Sequence, residues 1–230
     1  MTYAWLFFDA DDTLFDYPRA EGYALQTTFA ALGLPTSPAM LADYQRFNLE
    51  TWHELEFGQI SAFELRTARF ARLFAHRGLQ VDVDACSRLY LENLSRSTFL
   101  IAGATELLAA LAPHYRMGLI SNGLPEVQRP RLAGSGLAAF FQFVTISEEI
   151  GVAKPDPRFF ATAMAQAGSP KPRSVLVIGD SLSSDIRGGV QAGLDTLWYN
   201  PGAKPIDPRW PPTYQDDRLE RIRERLTGML

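Results

Sequence analysis

The chain has 230 residues, of which 47% are hydrophobic and 21% are charged, and its formal net charge is −4. This length accommodates one large domain or a core domain with a modest insertion, and the acidic balance argues against a nucleic-acid polymer as partner. No apolar run reaches the length of about 18 residues that spans a membrane, and no basic segment of a signal peptide precedes Asp9. We therefore expect a cytoplasmic protein without a membrane partner.

The first predicted element is a strand over residues 3–8. Its apolar run is uninterrupted, which is typical of a strand buried on both faces of a parallel sheet. Residues 16–99 then show no strand pattern and several helical signals. We predict that residues 16–99 form a helical cap domain inserted into a different kind of fold.

Three helices are predicted within this insertion. Ser37-Pro38 is typical of a helix start, and the residues after it place Leu41, Tyr44, Asn48, Trp52 and Leu55 along one face. Ser61 and Glu64 match a capping box, Gly78 is the predicted stop, and Phe63, Phe70 and Phe74 lie between them on the predicted buried face. The third helix is predicted over residues 83–94.

After the insertion, helical and strand patterns alternate. This order predicts an α/β fold with a doubly wound, Rossmann-like, mostly parallel sheet. Its core domain comprises residues 1–15 and 100–230. The predicted elements are a helix over 105–111, strands over 117–120 and 143–146, a helix to residue 167 with Asp156 as N-cap and Pro157 in its first turn, a strand over 175–178, a helix over 184–192, a strand over 196–199, a Pro-rich loop over 201–213 and a helix over 216–226.

Polar residues follow the predicted strands at the edge where doubly wound sheets bind their ligands. These residues are Asp9 and Asp11 after the first strand, Ser121 and Asn122 after the second, Asp180 and Asp185 after the later one, and Lys154 in a loop before Pro155. Four carboxylates brought together would repel one another, so we expect a cation among them. All-oxygen ligands favour Mg²⁺ over zinc, which makes Asp9, Asp11, Asp180 and Asp185 the candidate metal ligands.

Four motifs in this order resemble those of the haloacid dehalogenase superfamily. They are FFDADDTLF, ISNG, the lysine of VAKPDP, and GDSLSSD, and they span residues 3–200. The helical insertion resembles the cap that this superfamily carries between its first two motifs. The stretches WLFFDADDTLFDY, WHELEFGQIS and TISEEIGVAKPDPRFF resemble more closely the pyrimidine 5′-nucleotidase branch, also called house-cleaning nucleotidases.

The resemblance implies two catalytic carboxylates. Asp9 would be the nucleophile that forms an aspartyl phosphate, and Asp11 would be the general acid that protonates the leaving oxygen and the base that then activates water. An acid at position 11 favours phosphate esters, since a halide leaves without protonation. The plain alternative is that both residues only support a turn at a strand end.

The resemblance also implies a phosphate site and a metal site. Ser121, the backbone of Asn122, and Lys154 would bind the phosphoryl group. Asp180 would coordinate Mg²⁺ directly with the Asp9 carboxylate and the Asp11 carbonyl. Asp185 would act through water or by holding its loop.

The implied function is a Mg²⁺-dependent phosphomonoester hydrolase for a small phosphorylated metabolite, with nucleoside 5′-monophosphates and a pyrimidine preference as the leading substrates. Phosphoglycolate or sugar-phosphate hydrolysis is the first alternative, since those enzymes share all four motifs, and a phosphomutase is a further one. A catalytically silent binding protein on the same fold is the remote alternative. Most aromatic residues of the insertion are expected to be core. One or two near the cleft are expected to stack on a substrate base, and Phe15, Tyr17, Trp52 and Phe57 are the candidates.

Overall fold

The computed structural model describes residues 3–56 and 58–230. The chain divides into two compact units. The sheet unit contains the residues up to Tyr17 together with Phe99–Pro125 and Leu132–Leu230. The helical unit contains Pro18–Thr98 together with Glu126–Arg131.

The sheet unit is built on six parallel strands, in the order β3-β2-β1-β4-β5-β6. The strands are β1 (Trp5–Asp9), β2 (Arg116–Ser121), β3 (Phe143–Ile146), β4 (Val175–Gly179), β5 (Asp195–Tyr199) and β6 (Tyr214–Asp216). This arrangement confirms the predicted α/β class and the parallel, doubly wound sheet. β1 is central, with β2 and β4 as its neighbours. Because these strands are parallel, their carboxyl ends lie side by side at one edge of the sheet.

The uninterrupted apolar sequence of β1 has a direct cause in packing. Successive strand side chains point to opposite faces, so Leu6 and Phe8 join one buried core while Trp5 and Phe7 join the other. Both faces are covered by other elements, so an alternating polar residue would be buried without a partner.

The helices of the described chain fall into two groups. Those that begin before Phe99 lie almost entirely in the helical unit, as does the middle of the helix Pro125–Gly134, and the remaining helices lie in the sheet unit. In chain order they are α1 (Tyr17–Ala31), α2 (Pro38–Glu56), α3 (Ala62–Arg77), α4 (Val83–Ser95), α5 (Ala104–Leu111), α6 (Pro125–Gly134), α7 (Ser147–Ile150), α8 (Pro157–Gln166), α9 (Arg187–Gln191) and α10 (Leu219–Thr227). The predicted N-cap of α8 is confirmed, since the Asp156 side chain accepts from the Arg158 N–H at 2.8 Å.

Two predicted elements near the C-terminus differ from the structure. The helix predicted over 184–192 is a π-helical turn, Leu182–Ile186, followed by the short α9. The helix predicted over 216–226 begins later, at Leu219, because the residues before it add β6 to the edge of the sheet. A three-residue edge strand is too short to show an alternating pattern.

The helical unit confirms the predicted caps and corrects one buried face. Ser61 accepts from the Glu64 N–H at 3.2 Å, and Glu64 accepts from the Ser61 N–H at 2.8 Å, which is the predicted capping box. Gly78 ends α3 in the left-handed conformation that only glycine adopts readily. Phe63, however, is 80% exposed, whereas Phe70 is buried. The first turn of α3 therefore does not continue the buried face.

The core of the helical unit combines aromatic rings with a buried polar chain. The rings of Tyr44, Phe70 and Tyr90 lie 5.3 to 5.7 Å apart between centroids. Asn48 donates to Glu21 at 2.8 Å and accepts from buried Arg69 at 2.9 Å. Of the face predicted for α2, Tyr44 and Asn48 are fully buried, and the other members are partly exposed.

No helix within residues 3–56 and 58–230 combines the length and the hydropathy needed to cross a membrane.

Candidate active site

The candidate site lies at the carboxyl edge of the sheet, where β2, β1 and β4 end side by side. Asp9 is the last residue of β1, Ser121 is the last residue of β2, and Asp180 follows β4 directly. Ligands of doubly wound sheets bind at this edge. The structure thus places Asp9, Ser121 and Asp180 at one edge of the sheet, as the sequence predicted.

Lys154 is buried between two carboxylates. Its Nζ donates to Asp9 Oδ1 at 2.6 Å, to Asp185 Oδ1 at 2.7 Å and to the carbonyl of Ile120 at 3.1 Å. All three ammonium protons therefore have an acceptor, and Lys154 is only 2% exposed. Burial alone would lower the pKa of Lys154, but Asp185 and Asp9 raise it above its ordinary value, so the ammonium stays charged.

The second oxygen of Asp185 is also engaged. Asp185 Oδ2 accepts from the N–H of Ser181 at 3.1 Å, within the π-helical turn that follows β4. A Cβ on Gly179 would approach the Cβ of Asp185 to 2.7 Å and its carboxyl group more closely still. Glycine before Asp180 therefore leaves the space that the Asp185 carboxylate occupies.

Asp180 is held through its backbone. Its N–H donates to Thr13 Oγ1 at 3.1 Å, and its carbonyl accepts from Trp198 Nε1 at 2.7 Å. These two hydrogen bonds hold the backbone of Asp180 to the turn after β1 and to β5. Neither of them involves its carboxylate. Carboxylate oxygens of Asp9, Asp180 and Asp185 all lie within 4.8 Å of one another.

The charges of this cluster fit a divalent cation. One lysine ammonium faces three carboxylates, so negative charge is in excess in a buried place. Burial, together with the neighbouring Asp9 and Asp185, raises the pKa of Asp180 to about 9. Burial also raises the pKa of Asp9 to about 7, against the opposing effect of Lys154. Hard oxygen donors with surplus negative charge are the donor set that Mg²⁺ requires.

Asp11 and Asp12 lie in the tight turn that follows β1. Asp12 has a φ of +60°, and its N–H donates to the carbonyl of Phe15 at 2.8 Å, while Leu14 N–H donates to the carbonyl of Ala10 at 2.9 Å. Burial, then the charge of Asp11, raises the pKa of Asp12 to about 6. Asp11 lies in this turn, two residues after Asp9. Among the described residues, its carboxylate is not part of the cluster formed by Asp9, Asp180 and Asp185.

Ser121 and Asn122 differ in what they contact. Ser121 is buried, and its hydroxyl oxygen accepts from the N–H of Gly123 at 3.0 Å. The side chain of Asn122 pairs with the backbone of Lys154, donating to its carbonyl at 2.9 Å and accepting from its N–H at 2.8 Å. The sequence predicted a role only for the backbone of Asn122. The pairing of its side chain was not predictable, because a side-chain amide after a strand has many possible partners.

The aromatic residues predicted to stack on a substrate have different surroundings. Phe15 is 1% exposed and belongs to the core of the sheet unit, so that its ring is not available to a ligand. Tyr17 and Trp52 are partly exposed. Phe57 lies outside the described residues.

The family follows from comparison with known sequences. The profile described as "haloacid dehalogenase-like hydrolase" matches residues 3–193. The chain belongs to the haloacid dehalogenase-like hydrolases. The match confirms the resemblance stated from the sequence, and together with relatives named as nucleotidases and a phosphatase it confirms the predicted phosphatase class.

Two curated relatives of this hydrolase are named as pyrimidine 5′-nucleotidases. YjjG of Escherichia coli is 34% identical over 226 residues, which cover 98% of this chain and 99% of that protein. PynA of Streptococcus pneumoniae is 37% identical over 216 residues, which cover 94% of this chain and 91% of that protein.

A solved structure resembles the hydrolase over almost its whole length. It is the structure of YfnB from Bacillus subtilis, which is described as bound to magnesium. The two chains are 34% identical, the TM-score is 0.92, and the match covers 98% of this chain and 99% of that one.

Proposed function

We propose that this hydrolase cleaves phosphomonoesters through an aspartyl phosphate on Asp9, with Mg²⁺ as cofactor and nucleoside 5′-monophosphates as substrates. The observation that carries the proposal is the buried pair of Asp9 and Lys154, joined at 2.6 Å inside the cluster that Asp180 and Asp185 complete. A buried ammonium fixed beside this carboxylate supplies positive charge at the place where the transferring phosphoryl group would carry negative charge.

Asp9 is the proposed nucleophile. One of its oxygens accepts from Lys154, which orients the carboxylate and favours its charged form. Attack of this carboxylate on phosphorus forms a P–O bond to Asp9 and breaks the bond to the leaving oxygen. Water then attacks phosphorus, releases inorganic phosphate and restores the carboxylate. Splitting the displacement in this way replaces one difficult step by two easier ones.

Asp11 is the proposed acid and base. The turn after β1 fixes its backbone two residues beyond the nucleophile, through the bonds that Asp12 and Leu14 make within the turn. Its carboxyl proton goes to the leaving alkoxide in the first step. In the second step the same group takes a proton from the attacking water.

Lys154 and Ser121 are proposed to stabilise the phosphoryl group, and Asp9 and Asp180 are proposed to hold the cation. Lys154 contributes positive charge, and the Ser121 hydroxyl, oriented by the Gly123 N–H, donates a hydrogen bond. Asp9 and Asp180 would hold Mg²⁺, which would neutralise charge on the transferring group and on the nucleophile. Because both oxygens of Asp185 already accept hydrogen bonds, we assign Asp185 to holding Lys154 and the turn rather than to direct ligation.

The substrate class is proposed from the relatives. Two proteins that align along nearly the whole chain at 34% and 37% identity are named as pyrimidine 5′-nucleotidases. The motif residues address only the phosphoryl group and the leaving oxygen, so they serve nucleotides and other phosphomonoesters equally. Selection of a pyrimidine base therefore depends on residues outside the four motifs.

The test is a substrate panel with and without Mg²⁺. We expect kcat/KM for UMP, dUMP and dTMP to exceed the values for AMP, GMP, phosphoglycolate and glucose 6-phosphate, with turnover lost in EDTA and restored by added Mg²⁺. Leading activity on phosphoglycolate or the sugar phosphate would reject the nucleotidase assignment and keep the phosphatase chemistry. Full activity in excess EDTA would reject the role of the cation, and no phosphate release from any substrate would favour the silent binding protein.

A further inference from the structure

The backbone of Lys154 is held by two hydrogen bonds from one side chain. The Nδ2 of Asn122 donates to the Lys154 carbonyl at 2.9 Å, and the Lys154 N–H donates to the Oδ1 of Asn122 at 2.8 Å. The amide thus satisfies both the donor and the acceptor of a single residue. This pairing joins the loop after β2 to the loop that carries the buried lysine, across 32 positions of sequence.

We infer that the side chain of Asn122 is a positioning residue for Lys154. The inference rests on the proposed function, in which Lys154 stabilises the charge on the transferring phosphoryl group. A lysine side chain is flexible along its four carbons and does not by itself fix the position of its Nζ. That position therefore depends on where the backbone of the lysine is held. Asn122 fixes that backbone, and the Nζ then reaches Asp9 at 2.6 Å and Asp185 at 2.7 Å.

The proposed role of the Asn122 side chain, which is to hold Lys154, is distinct from the role of the Asn122 peptide N–H, which is to bind the phosphoryl group. A peptide N–H that points to a phosphoryl group is present with any residue at position 122 except proline. A side chain that pairs with Lys154 is removed by alanine. Asn122→Ala therefore separates the two roles, because it keeps the backbone donor and deletes the pairing.

The chain contains a matched control for the pairing. Asn200, after β5, makes the same two bonds to the backbone of Lys204, both at 2.9 Å. Asn200 is 2% exposed and Asn122 is partly exposed, and the residue that Asn200 holds is exposed, whereas Lys154 is buried. Asn200→Ala removes the same number and kind of hydrogen bonds without touching Lys154.

The first experiment compares Asn122→Ala and Asn200→Ala in steady-state assays on UMP. We expect kcat of Asn122→Ala to fall by up to about 10²-fold, the cost of displacing a reacting group by about 1 Å, with a smaller change in KM. Asn200→Ala should keep most of the wild-type kcat, while its Tm falls by about as much as the Tm of Asn122→Ala. An unchanged kcat in Asn122→Ala, an equal fall in both variants, or a rise in KM alone would each overturn the inference.

The second experiment reads the position of Lys154 without any assay of turnover. A crystal structure of Asn122→Ala should show the Nζ of Lys154 withdrawn from hydrogen-bond distance of Asp9, while the Asn200→Ala crystal structure keeps that contact. Lys154 unmoved in Asn122→Ala would overturn the inference. If the wild-type protein hydrolyses no phosphomonoester, the proposed function fails, and this comparison still decides whether Asn122 positions Lys154.

Discussion

Substituting Gly179 by alanine should damage the site through Asp185. A Cβ on Gly179 would lie 2.7 Å from the Cβ of Asp185, and ordinary contacts begin at 3.4 Å, so the side chain must retreat by at least the difference of 0.7 Å. Its carboxyl group lies closer to the added atom and must move further. A shift of this size breaks the 2.7 Å contact of Asp185 with Lys154.

Two effects of Gly179→Ala can be measured separately. Overpacking of this kind costs about 1–3 kcal/mol of unfolding free energy, which urea titration detects. Displacement of a catalytic group by about 1 Å costs up to about 10²-fold in rate, which kcat of the folded protein detects. Because Gly179 lies in a strand and has no positive φ, backbone strain does not contribute to either effect.

Gly118→Ala is the matched control. A Cβ on Gly118 would lie 2.6 Å from Cε2 of Phe143 and nearer still to other atoms of that ring, which packs against Trp5 and Phe7. The steric overlap is comparable, but it falls on an aromatic ring packed against the apolar core and not on a proposed site residue. We expect a similar loss of stability with kcat retained. Equal losses of kcat in both variants, or wild-type kcat in Gly179→Ala, would refute the reasoning.

Two further substitutions separate chemistry from stability. Lys154→Met should lower kcat by about 10²-fold or more, because a fixed charge facing the phosphoryl group is lost; a kcat near wild type in a phosphate-release assay would show that the charge is not used. Ser61→Ala should lower the unfolding free energy by about 1 kcal/mol by removing the side-chain half of the capping box of α3, with kcat unchanged; stability equal to wild type in urea titration would contradict the assignment of that cap.

The sheet was predictable where burial on both faces leaves an uninterrupted apolar sequence. β1, β2 and β4 are of this kind, and their polar successors marked the edge of the sheet that carries the site. β6 was missed because it is a three-residue edge strand with a polar centre at Gln215. Phe63 was misassigned because helical spacing gives the direction of a side chain and does not show whether another element covers it.

The site was predictable in its charged residues and not in what holds them. The order of Asp9, Lys154 and Asp180 along the chain, each after a strand or in a loop, indicated that they meet. The contacts of the Asn122 amide and of the Thr13 hydroxyl depend on loop conformations that no spacing encodes.

Trapping of the phosphoryl group on Asp9 tests the central claim most directly. The Asp11→Asn variant keeps the nucleophile and lacks the base for the second step, and p-nitrophenyl phosphate supplies a leaving group that departs with little protonation. After acid quenching and proteolysis, mass spectrometry should find one phosphoryl group on the peptide that contains Asp9, and none when Asp9→Asn is added. A phosphoryl group on another residue, or phosphate release by Asp9→Asn at the wild-type rate, would contradict the account.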